Sequence, residues 1–270
     1  MNQRVLLQPA WVIHRRPFRN TSLLVDLFCR DHGRVTAVAR GARRGKSRWQ
    51  GLLQPFQPVR VSFSGRGAVK TLTAAESADA PITMAGERLF SGFYINELLS
   101  HLLHDHVEHP RLHQVYEETL AALASRDSPL EAALRRFELE LLAELGYALN
   151  LRTDSRHQAI EADKRYRYLP DVGFEEAEYD PDGYPEPEPE PEPESWPDDQ
   201  SAPQAGIAAS ENQCIFTGTH LLAIARLDFG HPQTAPAAKR LLRQALAPHL
   251  AGKPLNSRAL FAAAKAPHSR

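Results

Sequence analysis

The sequence predicts an α+β protein of two domains, in which a small β-barrel is followed by a mostly α-helical domain. Over the first 75 residues, apolar residues occur in short runs separated by turn residues, which is typical of closely spaced strands. After Ala80 the apolar residues recur every three or four positions, as they do on one face of a helix. The charges also change there, because residues 1–80 hold 14 basic and only 4 acidic residues. We therefore predict domains over residues 1–80 and 81–270.

The barrel is predicted from a series of short strands. The strongest is SLLVDLFC at residues 22–29, followed by the turn Asp31-His32-Gly33, where a glycine can adopt a positive φ. Residues 34–40 then return as the partner strand of a hairpin. The remaining strands are expected at residues 5–7, 11–13, 59–63 and 68–73. Five or so strands at this spacing suggest an OB-fold, a five-stranded barrel whose strands and loops bind oligonucleotides.

A basic segment continues from the strand at residues 34–40, and we call residues 40–49, RGARRGKSRW, the basic arm. The arm carries five cations and two glycines without an acidic residue. Such a loop suits a polyanion, because every phosphate that it neutralises releases counterions. Contacts of this kind are made to phosphates and are insensitive to base sequence. The residues predicted to contact nucleic acid are Arg34, Arg40, Arg43, Arg44, Lys46, Arg48, Arg66 and Lys70.

Aromatic residues near these cations offer flat surfaces on which bases could stack. Trp49, at the end of the basic arm, either presents its ring to a base or is a core residue behind a mobile loop. The sequence leaves both alternatives open. Trp11 and Phe63 are further candidates for stacking, although burial in the barrel core is the better interpretation for both.

Helices are predicted for most of the chain beyond residue 80. One begins after Pro81, and Pro110 opens the next. Ser128-Pro129-Leu130-Glu131 matches a capping box with proline at the first helical position, and Gly146 is expected to end that helix in a left-handed conformation. Two further helices are expected at residues 219–229 and 236–250. The apolar face predicted for the last helix consists of Ala238, Leu241, Leu242, Ala245 and Leu246.

An acidic segment interrupts the helical domain. Residues 171–199 hold 13 acidic residues and no basic residue, and residues 180–206 are dominated by a Pro-Glu repeat. Such a repeat cannot bury a core, so we expect an extended, disordered insertion that serves as a linker or surface loop. Trp196 within it is interpreted as a chance aromatic. Just before this segment, Tyr166-Arg167-Tyr168 is expected to be an ordered piece on the surface.

The two cysteines, Cys29 and Cys214, lie far apart in the sequence. This number excludes both a disulfide framework and a four-cysteine zinc site, and it is typical of a reducing compartment. No apolar run approaches the 18 residues of a membrane span, and the first residues do not form an apolar signal core. We therefore expect a cytoplasmic, nucleoid-associated protein without a membrane partner.

Two other classes of function were weighed against nucleic-acid binding by a non-enzyme. A metal-dependent nuclease is suggested by His101 and Asp105, which would share a helix face at four residues apart. A hydrolytic site needs three or more ligands, however, and neither an HExxH motif nor a phosphate-binding glycine loop is present. An OB-fold RNA-binding adaptor fits the barrel and the charges equally well, but not the C-terminal half. We expect no enzymatic activity, no metal and no cofactor.

Several long stretches of the sequence resemble the RecO family of bacterial recombination mediators in the RecF pathway. They are GRVTAVARGARR, GLLQPFQP, GRGAVKTL, YINELLSHLL, LRRFELELLAELGYALNL and AAKRLLRQALAPHLAGKPLNSRALF. The resemblance implies an N-terminal OB-fold, a helical C-terminal domain and a role in DNA repair. It also implies binding to single- and double-stranded DNA, annealing of complementary strands, and binding to the acidic tail of the single-stranded-DNA-binding protein. With RecR, such proteins help to load RecA.

The resemblance also suggests where that acidic tail would bind. We expect Arg135 and Arg136 to hold its carboxylates beside an apolar pocket formed by Phe137 and Leu141, because a guanidinium can bind a carboxylate through two hydrogen bonds. The alternative is that Arg135 pairs with Glu138, and Arg136 with Glu140, along the same helix.

Two further expectations follow from the comparison with the family. A second basic face, with Lys239, Arg240 and Arg243, could contact DNA or RecR. Some relatives carry a four-cysteine zinc module after the GYALNL-like stretch. The corresponding region here contains no cysteine, so no structural zinc is expected.

Overall fold

The computed structural model describes residues 4–49, 51–177 and 215–257. The chain divides into two compact units, which we call the first and the second unit. The first is Met1–Ser128 with Leu255–Ser257, and the second is Pro129–Pro254 with Arg258–Arg270. The boundary predicted after residue 80 follows the change in secondary structure, whereas compactness divides the chain after Ser128. The Pro-Glu repeat, Trp196 and Cys214 lie outside the described residues.

The first unit begins with a five-stranded, OB-like barrel, as predicted. Its strands are β1 (Arg4–Phe18), β2 (Ser22–Cys29), β3 (Gly33–Ala39), β4 (Pro58–Ser64) and β5 (Lys70–Ser77). They are ordered β1-β2-β3-β5-β4, and β4 pairs back to β1. All ladders are antiparallel except β3–β5, which is parallel and joins only Ala37 to Lys70 and Val38 to Thr71. The β3–β5 ladder is therefore the shortest in the barrel.

The β1 strand is continuous where the sequence predicted two separate runs. Its register against β4 shifts between Val5 and Gln8, and its register against β2 shifts between Val12 and His14. Each irregularity turns the following side chains to the other face of the strand, which interrupts the alternation of apolar residues. In β3 the alternation is regular, since Val35, Ala37 and Ala39 are buried between half-buried neighbours. These side chains belong to the barrel core.

Two predicted helices, α1 (Glu87–Leu102) and α2 (Pro110–Ala124), complete the first unit. The ring of Tyr116 on α2 meets those of Trp11 and Phe28 edge-on, with centroid separations of 5.8 and 5.9 Å. The Tyr116 hydroxyl donates to Oδ1 of Asn96 at 2.6 Å, and Nδ2 of Asn96 donates to the carbonyl of Ile13 at 3.1 Å. Trp11 is therefore buried against a helix on the outside of the barrel.

Charged side chains of α1 bind the segments at which the chain leaves and re-enters the first unit. The guanidinium of Arg88 donates to the carbonyls of Ala122, Leu123, Arg126 and Ser128. This multiple contact orders the last turn of α2 and the residues after it.

At the second crossing, the carboxylate of Glu97 accepts hydrogen bonds from Asn256 and Ser257. The backbone N–H groups donate at 2.8 and 2.9 Å, and the side chains of the same residues at 3.1 and 2.6 Å. Burial opposes ionisation of Glu97, but these hydrogen bonds outweigh it and hold the pKa of the carboxyl below its usual value. The carboxylate is thus built into the first unit.

The second unit combines helices with a small sheet. Its elements are α3 (Leu130–Glu144), β6 (Arg165–Leu169), β7 (Gly173–Glu176), β8 (Ile215–Thr217), α4 (Gly218–Ala225) and α5 (Thr234–Leu250). The apolar face predicted for α5 is buried, whereas α4 ends at Ala225 rather than at residue 229. None of the described helices is both long and apolar enough to cross a membrane.

The two ends of α3 show one error and one success of the sequence analysis. The capping box is wrong, because Pro129 is the N-cap residue and no side chain caps the helix. Gly146 does end the helix with a φ of 87°. The N–H of Gly146 donates to Ala143 and that of Tyr147 to Leu142, which is the Schellman arrangement that a left-handed glycine permits.

The sheet in the second unit was not predicted as such. It has the order β7-β6-β8, and the tyrosines of β6, Tyr166 and Tyr168, are only 2% and 5% exposed. The expected surface segment is therefore the centre of a small core that also includes Phe174 and Phe216.

Candidate nucleic-acid interface

The basic arm leaves the barrel at the end of β3 and packs against the turn between β1 and β2. The backbone N–H of Arg43 donates to the carbonyl of Thr21 at 2.9 Å, and its guanidinium lies 3.4 Å from the carbonyl of Arg19. Gly41 has a φ of 72°, which a residue with a side chain rarely adopts. These contacts give the arm a defined place at one end of the barrel.

Trp49 anchors the arm to the barrel core. Its side chain is 4% exposed and belongs to the cluster formed by the strands. The indole N–H donates to the carbonyl of Arg40 at 3.0 Å, and the guanidinium of Arg48 lies over the ring at 4.3 Å. The second of the two alternatives, a core tryptophan, is therefore confirmed, and the ring offers no surface to a base.

The five cations of the basic arm are all exposed to solvent. Arg48 also donates to the carbonyl of Thr73 at 3.1 Å, which directs it towards β5. The sequence between residues 4 and 75 has only two carboxylates, and both are bound elsewhere. Asp26 accepts from Thr36 at 2.6 Å, and Asp31 from Arg30 at 3.0 Å. The positive field of the arm is therefore not cancelled locally.

The other predicted contacts on the barrel differ in how accessible they are. Arg66 is exposed in the turn between β4 and β5. Arg34 donates to the carbonyl of Ser100 at 2.7 Å and pairs with Asp105 at 3.0 Å. Lys70 is 9% exposed, and its Nζ donates to the carbonyl of Gly67 at 3.0 Å. These contacts favour structural roles for Arg34 and Lys70.

Three exposed arginines near the arm were missed by the sequence analysis. Arg15 and Arg16 lie near the end of β1, and Arg19 lies in the following turn with a φ of 52°. The run RRPFR at residues 15–19 indicated them, but the sequence analysis assigned it no role. Together with the cations of the arm they form what we call the basic rim. Its members are Arg15, Arg16, Arg19, Arg40, Arg43, Arg44, Lys46 and Arg48.

The expected binding site for an acidic tail has a different character. The side chain of Arg135 is 6% exposed, and it lies 3.0 Å from the buried carboxylate of Glu138 and 3.4 Å from Glu131. Pairing of Arg135 along the helix, the alternative to tail binding, is therefore what the structure shows. Phe137 and Leu141 are fully buried, whereas Arg136 is exposed.

One residue of the second basic face, on α5, is also used in contacts within the fold. Arg240 donates to the carbonyl of Ile215 at 2.9 Å, and its guanidinium lies 4.7 Å from the ring centre of Phe216. Lys239 is exposed, while Arg243 is half-buried. Arg240 therefore joins α5 to β8.

The ligand pair suggested for a nuclease does not form. The α1 helix ends at Leu102, before Asp105, and Asp105 is the partner of Arg34. His101 and Asp105 therefore do not share a helix face, and that prediction is wrong. Among the described residues, no group of three or more His, Cys, Asp or Glu side chains could hold a metal ion.

An OB-like barrel that carries a carboxylate-free cluster of exposed cations is typical of proteins that bind nucleic acids without sequence specificity. Residues 1–81 match the family model described as Recombination protein O N terminal, and residues 85–187 match that of the C terminal. The chain belongs to the RecO family.

Similar proteins include three that are each named DNA repair protein RecO. The relative from Alkalilimnicola ehrlichii is 42% identical over 258 residues, which cover 96% of this chain and 91% of the relative. That from Stutzerimonas stutzeri is 42% identical over 94% of this chain and 92% of its own length. That from Actinobacillus succinogenes is 38% identical over 94% of both chains.

Proposed function

We propose that the protein is a DNA-binding recombination mediator in DNA repair, and that the basic rim is its DNA-binding surface. The observation that carries this proposal is the rim itself, in which eight exposed cations lie at one end of an OB-like barrel. Membership of a family whose relatives are named DNA repair proteins supports the choice of DNA over RNA. Arg66, in the turn between β4 and β5, extends the proposed surface.

The chemistry of the rim defines how DNA would be held. Guanidinium groups bind phosphate oxygens through pairs of hydrogen bonds, and they do so whatever the base. Single and double strands share the phosphate chain, so both are ligands. Two complementary strands that are bound by the same surface are brought close together with much of their charge neutralised, which favours annealing.

The proposed partners complete the role of a mediator. With RecR, the protein would help to load RecA onto DNA that is coated by the single-stranded-DNA-binding protein. The acidic tail of that protein remains our proposed ligand for the second unit. Arg136 is the accessible cation of α3, whereas Arg135 would first have to leave its buried ion pair with Glu138.

The test is the binding of a fluorescent single-stranded oligonucleotide, measured by anisotropy over a series of salt concentrations. In one variant, Arg40, Arg43, Arg44, Lys46 and Arg48 are changed to Ala. Its matched control changes five exposed cations outside the rim to Ala, so that the net charge is the same. These are Arg60, Arg126, Arg152, Arg156 and Arg167.

We expect the arm variant to bind roughly 100-fold more weakly at low salt, with the salt slope reduced by up to about 3.5, since each phosphate contact contributes about 0.7 on single strands. The control variant should keep most of the affinity and the slope. Equal losses in the two variants would show that net charge, and not the rim, governs binding, and would overturn the proposal.

A further inference from the structure

OB-folds bind oligonucleotides on the face of the barrel formed by β2 and β3, and in this protein the β2 side of that face is covered. Phe28 of β2 points outwards from the barrel but is fully buried. Its ring lies 5.9 Å from that of Tyr116 and 5.2 Å from the imidazole of His113, both on α2. Leu24 and Asp26, the other outward residues of β2, are buried as well.

Main-chain atoms cover the end of this face that lies at the turn between β2 and β3. A Cβ atom on Gly33 would lie 1.7 Å from the carbonyl oxygen of Val107. The segment between α1 and α2, which contains Val107, therefore lies directly against the turn between β2 and β3. The N–H of His106 donates to the carbonyl of Arg34 at 3.0 Å. A change of side-chain rotamer cannot open a contact made by main-chain atoms. The β2 side of the strand face is therefore closed, whereas Arg34, Thr36 and Val38 on the β3 side are half-buried, and none of them carries an aromatic ring.

The strongest stacking on a base is made by an aromatic ring with an accessible face. Within the described part of the first unit, no Phe, Tyr or Trp side chain is exposed. Trp49 and Phe63 are core residues. Phe18, at the end of β1, is the half-buried ring beside the rim, and the guanidinium of Arg19 lies 5.2 Å from its centre.

From these contacts we infer that the first unit binds DNA by its sugar–phosphate chain alone and leaves the bases outside the interface. The inference rests on the proposed function, and it names the part of the DNA that the rim takes as its ligand. The rim presents cationic donors, which match phosphate oxygens, and Phe28, the outward aromatic ring of β2, is covered by α2. A bound strand thus keeps its bases free to pair with a second strand.

The inference is tested with an oligonucleotide that lacks bases. A labelled chain of abasic tetrahydrofuran nucleotides and an oligo(dT) of the same length are compared by anisotropy, with the full-length protein at several salt concentrations. We expect dissociation constants within about twofold of each other, with equal salt slopes. Base stacking contributes about 1–3 kcal/mol per base, so weaker binding of the abasic chain by tenfold or more would overturn the inference.

Two controls separate this result from the proposed function. If both oligonucleotides bind weakly and the arm variant binds as the wild type does, the proposed function itself fails. Phe18→Ala should leave the affinity for oligo(dT) within about twofold. A selective loss of oligo(dT) binding in that variant would identify Phe18 as a stacking residue and would overturn the inference while leaving DNA binding in place.

Accessibility of the bases provides a direct measurement. Permanganate oxidises thymines that are unstacked and open to solvent. We expect oligo(dT) bound to the protein at saturation to react at the rate of the free oligonucleotide. Protection of the thymines by the protein would contradict the inference.

Discussion

The basic arm and the helix α3 both carry adjacent arginines, yet they use them in opposite ways. In the arm, Arg43 and Arg44 are exposed and have no carboxylate neighbour in sequence. On α3, Arg135 lies between Glu131 and Glu138, at 3.4 and 3.0 Å, and its charge is neutralised inside the fold. The same residue type is a candidate ligand for DNA in one region and part of the core in the other.

The difference teaches that the spacing of acids decides whether a cation is available. Residues three and four apart on a helix are neighbours, so acids at those positions can bind an arginine of the same helix. The arm has neither an acid nor helical geometry, so its cations remain in solvent. Counting basic residues in a sequence therefore overestimates the binding surface unless the acids nearby are counted with them.

The largest effect is expected from breaking the buried pair on α3. Arg135→Ala leaves the carboxylate of Glu138, which is 1% exposed, without its partner at 3.0 Å. We expect the free energy of unfolding to fall by about 3–5 kcal/mol, measured by urea denaturation, because a buried carboxylate that loses its ion pair is costly. Arg135→Leu combined with Glu138→Leu should recover most of this loss. An unchanged free energy of unfolding in Arg135→Ala would show that the charge of Arg135 is not needed inside the fold.

A smaller effect is expected at Arg34, which was predicted to contact DNA but is bound within the first unit. Arg34→Ala removes a hydrogen bond to Ser100 and the ion pair with Asp105. We expect a loss of about 2 kcal/mol in stability, while the affinity for single-stranded DNA stays within about twofold. Anisotropy and urea denaturation of the same variant check both parts. A large loss of DNA affinity in a variant of unchanged stability would show that Arg34 does contact DNA.

A third prediction concerns a group that burial keeps neutral. Burial, and then the charge of Arg30, lower the pKa of His113 to about 4. The unfolded chain binds a proton near pH 6.5 and the folded chain does not, so stability present above that pH is lost as the pH falls towards 4. We expect this term to remove about 2 kcal/mol between pH 7 and pH 5. His113→Phe should abolish that part of the pH dependence, which denaturation at both pH values would measure.

The smallest effect is expected from removing one exposed cation of the rim. Arg44→Ala should weaken binding of single-stranded DNA roughly threefold and lower the salt slope by about 0.7, as for one phosphate contact. Its free energy of unfolding should change by less than about 0.5 kcal/mol, because the side chain is exposed. Arg60→Ala serves as the control for one lost charge. If the two variants bind DNA equally, Arg44 makes no contact.

Much of the fold could be predicted from periodicity and turn residues. The bounds of β2, the start of α2 at Pro110 and the end of α3 at Gly146 were read from local patterns, and local patterns determine them. In the sheet around Tyr166, the hairpin of β6 and β7 is a local pairing that the sequence analysis overlooked. The pairing of β6 with β8 was missed because β8 begins 49 residues after Tyr166, beyond the acidic segment. A strand pairing of that separation leaves no mark on the local sequence.

The site was harder to predict than the fold, because accessibility depends on distant neighbours. Arg34 and Arg48 look alike in sequence, but α1 places a carbonyl beside the first and leaves the second at the surface. Trp49 is buried because the strands close over it, and the arm alone does not show this. The arginines at residues 15–19 join the rim only because the turn that follows β1 touches Arg43.

The contact between Glu97 and the last described residues has a consequence for how the chain is made. Glu97 leaves the ribosome about 160 residues before Asn256 and Ser257, whose four hydrogen bonds it accepts. The first unit therefore cannot reach its final structure during synthesis until the residues of the second unit up to Pro254 have been translated. Until then, the carboxylate of Glu97 on α1 lacks these four hydrogen bonds, although almost all of the first unit has already been synthesised.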